Sequence, residues 1–134
     1  MKNYMEKRII LDTSLWIARL CKKDRFHRRS LEVFEKLRHN YHILLPDYVL
    51  EETVSILLQI ESKQKAEKFI DYVLKNENIT LFVVDKNFLQ GLFNFFFKSE
   101  NEKLSFTDYV LFYLSEEYEV ITFDQELQQA IKSK

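Results

Sequence analysis

The 134-residue sequence holds one glycine, one proline and one cysteine, and each scarcity removes a class of function. Dinucleotide-binding G-x-G-x-x-G loops, Walker A loops and kinase Gly-rich loops all need several glycines. With Gly91 alone, phosphate cradling by a glycine-rich backbone is excluded. Cys21 has no second cysteine to pair with, so an internal disulfide and a cysteine-rich zinc site are both ruled out. That usage suits a reducing compartment. The three histidines, His27, His39 and His42, do not form H-E-x-x-H, which argues against a zinc protease. Long apolar runs are also missing: none approaches the roughly 18–20 residues of a membrane helix. Ile9-Ile10-Leu11 is cut short by Asp12 and makes no signal-peptide core. The expectation is a soluble, cytoplasmic protein with no membrane partner.

What remains is enough for one domain over residues 1–134, with a core of its own. Hydrophobic residues are 46% and charged residues 31%, which excludes a disordered tail. The net charge of −1 names no partner, but its distribution is uneven. Residues 7–38 hold ten bases against four acids, and residues 100–126 hold eight acids against the single base Lys103. An acidic region beside a basic flank is what a metal-dependent enzyme acting on phosphodiesters needs.

Short apolar runs alternate with helical patterns. Arg8–Leu11, His42–Leu45, Thr80–Val84 and Glu119–Thr122 read as strands. Between them, helices are expected over 14–20, 30–38, 47–60, 62–75, 87–98, 105–117 and 125–132. Asp47 is expected to cap the third, with Leu50, Val54, Leu57 and Leu58 on one face. The fifth, carrying Phe88, Phe93, Phe95, Phe96 and Phe97, has little polar face, so it is expected to be buried in the core, with an interface against a partner as the alternative. The alternation predicts an α/β protein, a three-layer α/β/α sandwich around a mostly parallel sheet.

In such a sheet the functional crevice lies beyond the carboxyl ends of the strands. Asp12 follows the first strand and Asp124 ends the last. Asp108 opens the preceding helix, and Glu52 sits early in the helix after the second strand. A helix from Asp108 to Glu117 travels on the order of 14 Å, and a strand from Glu119 to Phe123 returns about 15 Å. Asp108 and Asp124 thus share an edge. Each aspartate also fits a helix cap, Asp108 within Ser105-Phe106-Thr107-Asp108 in particular. Glu52 caps nothing, and the helical wheel leaves it and Glu51 on opposite flanks of the apolar arc without choosing between them.

Four carboxylates in one crevice repel unless protonated or bound to cations. Oxygen-only ligation suits Mg²⁺ or Mn²⁺ rather than Zn²⁺. Such ions activate water and stabilise the oxygens of an in-line phosphoryl displacement.

The segments that carry these acids resemble the motifs of PIN-domain nucleases. Ile9-Ile10-Leu11-Asp12-Thr13-Ser14-Leu15-Trp16-Ile17 is similar to their opening strand motif. Asp47-Tyr48-Val49-Leu50-Glu51-Glu52-Thr53 is similar to the segment with their helical glutamate. Leu104-Ser105-Phe106-Thr107-Asp108 and Ile121-Thr122-Phe123-Asp124 resemble their third and fourth acidic motifs. The resemblance covers essentially the whole chain. It implies that Glu52 carries the ligand glutamate, and that Asp12, Glu52, Asp108 and Asp124 coordinate one or two Mg²⁺ or Mn²⁺ ions. Thr13 and Thr122 would then fix the geometry of those ligands. The implied reaction is hydrolysis of RNA to a 5′-phosphate and a 3′-hydroxyl.

Small single-domain PIN proteins of this length most often resemble VapC-like toxins of bacterial and archaeal toxin–antitoxin pairs. That implies a homodimer, an RNA substrate and a cognate antitoxin of a type II toxin–antitoxin pair. The alternatives are a PIN nuclease of RNA maturation outside such a pair, and a non-catalytic PIN scaffold. The intact acids weigh against the scaffold. A haloacid-dehalogenase-type phosphatase needs a second aspartate where Ser14 stands, and a flap nuclease needs more chain for its DNA clamps. Arg25, Arg28 and Arg29 form a basic stretch able to hold RNA phosphates, and Trp16 is expected in the core.

Overall fold

A computed structural model describes residues 7–133. Four strands, β1 (Lys7–Leu11), β2 (Tyr41–Pro46), β3 (Ile79–Phe82) and β4 (Glu119–Ile121), form one sheet in the order β3-β2-β1-β4. All three pairings are parallel, with Ile9 opposite Ile43 and Glu119, and Leu44 opposite Thr80. The central strands are buried on both faces: Ile9, Ile10 and Leu11 in β1, Ile43, Leu44 and Leu45 in β2. A parallel sheet requires helices on each side to achieve this.

Seven helices provide that cover: α1 (Thr13–Leu20), α2 (His27–Leu37), α3 (Asp47–Ile60), α4 (Lys63–Lys75), α5 (Lys86–Lys98), α6 (Phe106–Leu114) and α7 (Gln125–Lys132). Helices α1 to α4 pack on one another, as do α5, α6 and α7, completing three layers. Trp16 is buried in the first group, with its ring 5.4 Å from those of Phe34 and Phe69. In the second, Phe88 of α5 lies between Phe82 and Tyr113, 5.3 Å from each. No helix among the described residues is long and apolar enough to cross a membrane.

Three local expectations are corrected. Pro46, not Asp47, occupies the cap position of α3, and no side chain bonds that helix end. Asp47 is the first helical residue, and its Oδ1 accepts the Val84 N–H at 3.3 Å, tying α3 to the segment after β3. Leu57 is buried and Leu50 and Val54 are half-buried against the core as expected, but Leu58 is exposed and Val49 and Thr53 are the other enclosed residues of α3. The buried face is widened on the Val49 side because α3 packs on α1 and α4 as well as on the sheet. Helix α5 is not buried all round: Leu92 alone is fully enclosed, and Phe93, Phe96 and Phe97 are exposed. Among the described helices it packs chiefly on α6, which leaves the rings of its other face at the surface.

The sheet order reverses direction between β1 and β4, because β2 and β3 are added on one side and β4 on the other. In open α/β sheets this switch point opens a crevice at the carboxyl ends of the strands.

Candidate active site

A cleft of about 790 Å³ opens there. Asp12, Glu52, Asp108 and Asp124 all line it, although they come from four separate segments. A second cavity of about 660 Å³, walled by Trp16, Phe34 and Phe69, contains none of them.

Asp12 is the most enclosed of the four, 3% exposed. It continues β1, donating its backbone N–H to the Ile121 carbonyl at 2.9 Å, and it is the N-cap of α1. Its Oδ1 accepts the Thr13 N–H at 2.7 Å. Its Oδ2 accepts the Thr122 hydroxyl at 2.6 Å and the Ser14 hydroxyl at 3.1 Å. Burial nevertheless pushes this carboxyl up to about 6, with the charge of Asp108 adding to the rise. The bonds from Thr122, Thr13 and Ser14 pull the other way. Desolvation of a carboxylate outweighs three good donors here.

The other acids are also held by the chain. Thr13, buried at the start of α1, donates its hydroxyl to Glu52 Oε1 at 2.6 Å, which draws the helical glutamate of α3 toward β1. Glu51, its neighbour, is exposed and does not line the cleft. Asp108 closes a capping box on α6: its Oδ2 accepts the Ser105 N–H at 3.2 Å while its own N–H reaches Ser105 Oγ at 3.1 Å. Burial raises the Asp108 carboxyl, and the charges of Asp124 and Glu52 raise it further, against the Ser105 bonds. Asp124 caps α7, accepting from Glu126 N at 2.8 Å and Leu127 N at 3.3 Å. The cap and cleft readings of the aspartates are therefore both realised, because helices that start at the carboxyl edge of the sheet place their caps at the crevice.

Thr122 joins two of these groups: its Oγ1 donates to Asp12 and accepts the Asp124 N–H at 2.9 Å. Ser14 is the member that motif spacing alone did not single out. Its Oγ accepts the Phe123 N–H at 3.0 Å and lies 3.3 Å from Thr122 Oγ1. The signal available was a hydroxyl two residues after Asp12, at a helix N-terminus facing the same edge.

The donor set consists of oxygen atoms, with repulsion among its members and little to offset it. Among the described residues six acids line the cleft, Asp24 and Glu126 besides the four, against the single base Arg25. Such a set fits a hard divalent cation. Among the described residues no three acids, histidines or cysteines are drawn together tightly enough to grip an ion as they stand, since each carboxylate leans on its own cap or hydroxyl.

No curated protein sequence matches the chain significantly. Among solved structures it is similar to VapC20 of Mycobacterium tuberculosis, a sarcin-ricin loop cleaving toxin. That match has a TM-score of 0.80 and 18% identity, covering 91% of this chain and 94% of that one. It is also similar to VapBC2 from Rickettsia felis, bound to a DNA fragment from their promoter. Here the TM-score is 0.63 and the identity 15%, over 92% of each chain. These likenesses concern the fold. The PIN domain profile matches residues 9–132, which takes in every strand from Ile9 onward, all seven helices and the four cleft carboxylates, and the chain belongs to the PIN domain family.

Proposed function

We propose that this chain is a metal-dependent endoribonuclease that hydrolyses RNA phosphodiester bonds as the toxin of a type II toxin–antitoxin pair. The observation that carries the reading is the convergence of Asp12, Glu52, Asp108 and Asp124 on one cleft at the switch point of a PIN fold. Those four would hold one or two Mg²⁺ or Mn²⁺ ions. When bound, the ions supply activation of water and neutralisation of phosphate charge. The chain's own work is positional. Thr13 aims Glu52, Thr122 and Ser14 hold Asp12, and backbone N–H groups at the starts of α6 and α7 hold Asp108 and Asp124. Groups that orient ligands in this way commonly matter for affinity by about 10–100-fold.

RNA as substrate and a cognate antitoxin as partner are supported by likeness to VapC20 and VapBC2. A homodimer is supported by the aromatic face of α5 and α6. Phe93, Phe96, Phe97 and Phe106 are all exposed there, the kind of apolar patch that an interface covers. The reading assigns the protein to the cytoplasm.

Purified protein is expected to cleave single-stranded or structured RNA in Mg²⁺ or Mn²⁺ and to stop when EDTA is added. Equal cleavage in EDTA would overturn the metal mechanism.

A further inference from the structure

Among the described residues the cleft has six acids and one base on its walls, and that base is Arg25. Of the arginines of the basic stretch Arg25 alone lines the cleft, and like Arg29 it rests on an aromatic ring. Arg25 Cζ lies 4.6 Å from the centroid of the Phe26 ring. Phe26 in turn stacks on Phe123, with centroids 4.8 Å apart and planes inclined by 25°. Arg29 Cζ is 5.5 Å from Phe26 and 5.1 Å from Phe123. Phe123 is buried between Thr122 and Asp124 in sequence, and its N–H bonds Ser14. The two guanidinium groups are thereby attached to the same loop that carries part of the acidic site.

The segment that holds Arg25 is ordered by its own bonds. Asp24 Oδ1 accepts the Phe26 N–H at 2.9 Å, and Asp24 N donates to the Cys21 carbonyl at 3.0 Å. Ser30 N returns to the Phe26 carbonyl at 2.9 Å. Among the described residues neither Arg25 nor Arg29 enters an ion pair; the pairs found join Arg38 to Glu35 and lysines of α4 to acids of α4 and of the turn before it. A guanidinium resting on an aromatic ring keeps its planar N–H edge available for a bidentate acceptor. An exposed cation left unpaired on the lip of an acidic cleft is placed for an anion that must also meet that cleft.

We propose that Arg25, steadied by the Phe26–Phe123 stack and backed by Arg29, is the residue that grips a phosphate next to the scissile one in a bound RNA strand. This rests on the ribonuclease reading given above. The contact is to the backbone, so it fixes position and register and carries no base preference. Phe26 serves the guanidinium and is not a platform for a base, since Phe123 and Arg25 already pack against its ring.

The test is equilibrium binding of a short fluorescein-labelled single-stranded RNA, read by anisotropy across a salt series in Mg²⁺. An Asp108→Asn background keeps the RNA intact. Arg25→Ala is expected to weaken binding by about tenfold and to lower the log–log salt slope by about 0.7, one phosphate contact on a single strand. Arg25→Lys should keep the slope and recover part of the affinity. Arg28→Ala, exposed on α2 but outside the cleft, should stay within about twofold of the parent. In the otherwise wild-type enzyme, Arg25→Ala should raise KM with little change in kcat. If the parent binds RNA and Arg25→Ala binds it equally with an unchanged slope, the assignment of Arg25 is overturned while the ribonuclease reading stands. Equal losses from Arg28→Ala and Arg25→Ala also overturn it, in favour of diffuse charge. If the parent binds no RNA, the functional reading fails and this assignment falls with it.

Discussion

The Thr122 hydroxyl donates to Asp12 Oδ2 at 2.6 Å, joining residues 110 positions apart at the ends of β1 and β4. The bond spans the point where the sheet order reverses, and it fixes the most buried acid of the cleft against the strand that leads to Asp124. Replacing Thr122 with Val keeps the shape and removes the donor. Loss of a buried hydrogen bond to a charged group costs about 1–3 kcal/mol, and without it the Asp12 carboxyl should rise further. Thr122→Val is expected to lower stability in urea unfolding and to move the acidic limb of the activity profile to higher pH. Thr122→Ser should restore both.

The Asp12 carboxyl itself gives a sign that runs against the usual acidic residue. Its folded value of about 6 lies above the ordinary 3.8, so the folded state binds this proton more tightly than the unfolded state does. Its contribution favours folding at low pH and is lost as pH rises through about 4 to 6, with a cost of up to about 3 kcal/mol above that window. Relative to wild type, Asp12→Asn should therefore gain stability between pH 4 and pH 7.5 while losing activity. Parallel pH dependences of the two proteins in urea unfolding would contradict this.

Divalent cations should act in the same window. Mg²⁺ or Mn²⁺ that binds the ionised cleft stabilises the folded state by mass action, and protons compete with it. The Tm of wild type is expected to rise with Mn²⁺ at pH 7.5 and much less at pH 5. Asp12→Asn and Asp108→Asn should both show a reduced shift.

The elements were legible because the chain alternates short β-branched runs with helical periodicity, and Asp12 and Asp124 were legible as residues that end strands. Asp108 and Asp124 share the cleft, as the matched lengths of the helix and strand between them require. What sequence could not show lies in contacts made at a distance. The Thr13 hydroxyl reaches Glu52 across 39 residues; the helical wheel left Glu51 and Glu52 open, and only the likeness to PIN motifs pointed to Glu52. Asp47 looked like a cap because its type is right, but Pro46 takes the extended conformation one residue earlier. The phenylalanines of α5 looked buried because composition reports apolarity and not how many layers the fold places above a helix.

Glycine 91 illustrates the same limit in a different way. A Cβ there would collide with Tyr113 Oη and come within 3.3 Å of its Cζ, on a ring held between Phe88 and Phe95. Overpacking of this kind costs about 1–3 kcal/mol, against a helix-propensity gain of about 1 kcal/mol for Ala over Gly. Gly91→Ala is expected to be destabilising in thermal unfolding. Adding Tyr113→Phe, which removes the clashing hydroxyl, should recover most of the loss.

The aromatic face of α5 offers a test of assembly that leaves the fold intact. Phe97 is 77% exposed, so Phe97→Glu should cost little within one chain. In light scattering after gel filtration, wild type is expected to run as a dimer and Phe97→Glu as a monomer. Wild-type protein that is monomeric at high concentration would contradict the dimer.

The most direct test of the central claim is the RNA cleavage rate of Asp108→Asn in Mn²⁺, measured beside its thermal stability. Asparagine can still accept the Ser105 N–H and so keeps the cap on α6, but it removes the charge offered to a metal. The account predicts an unchanged fold and a rate reduced by more than about a hundredfold, beyond the cost of losing a group that merely orients a ligand. A variant that folds normally and cleaves RNA at the wild-type rate would contradict it.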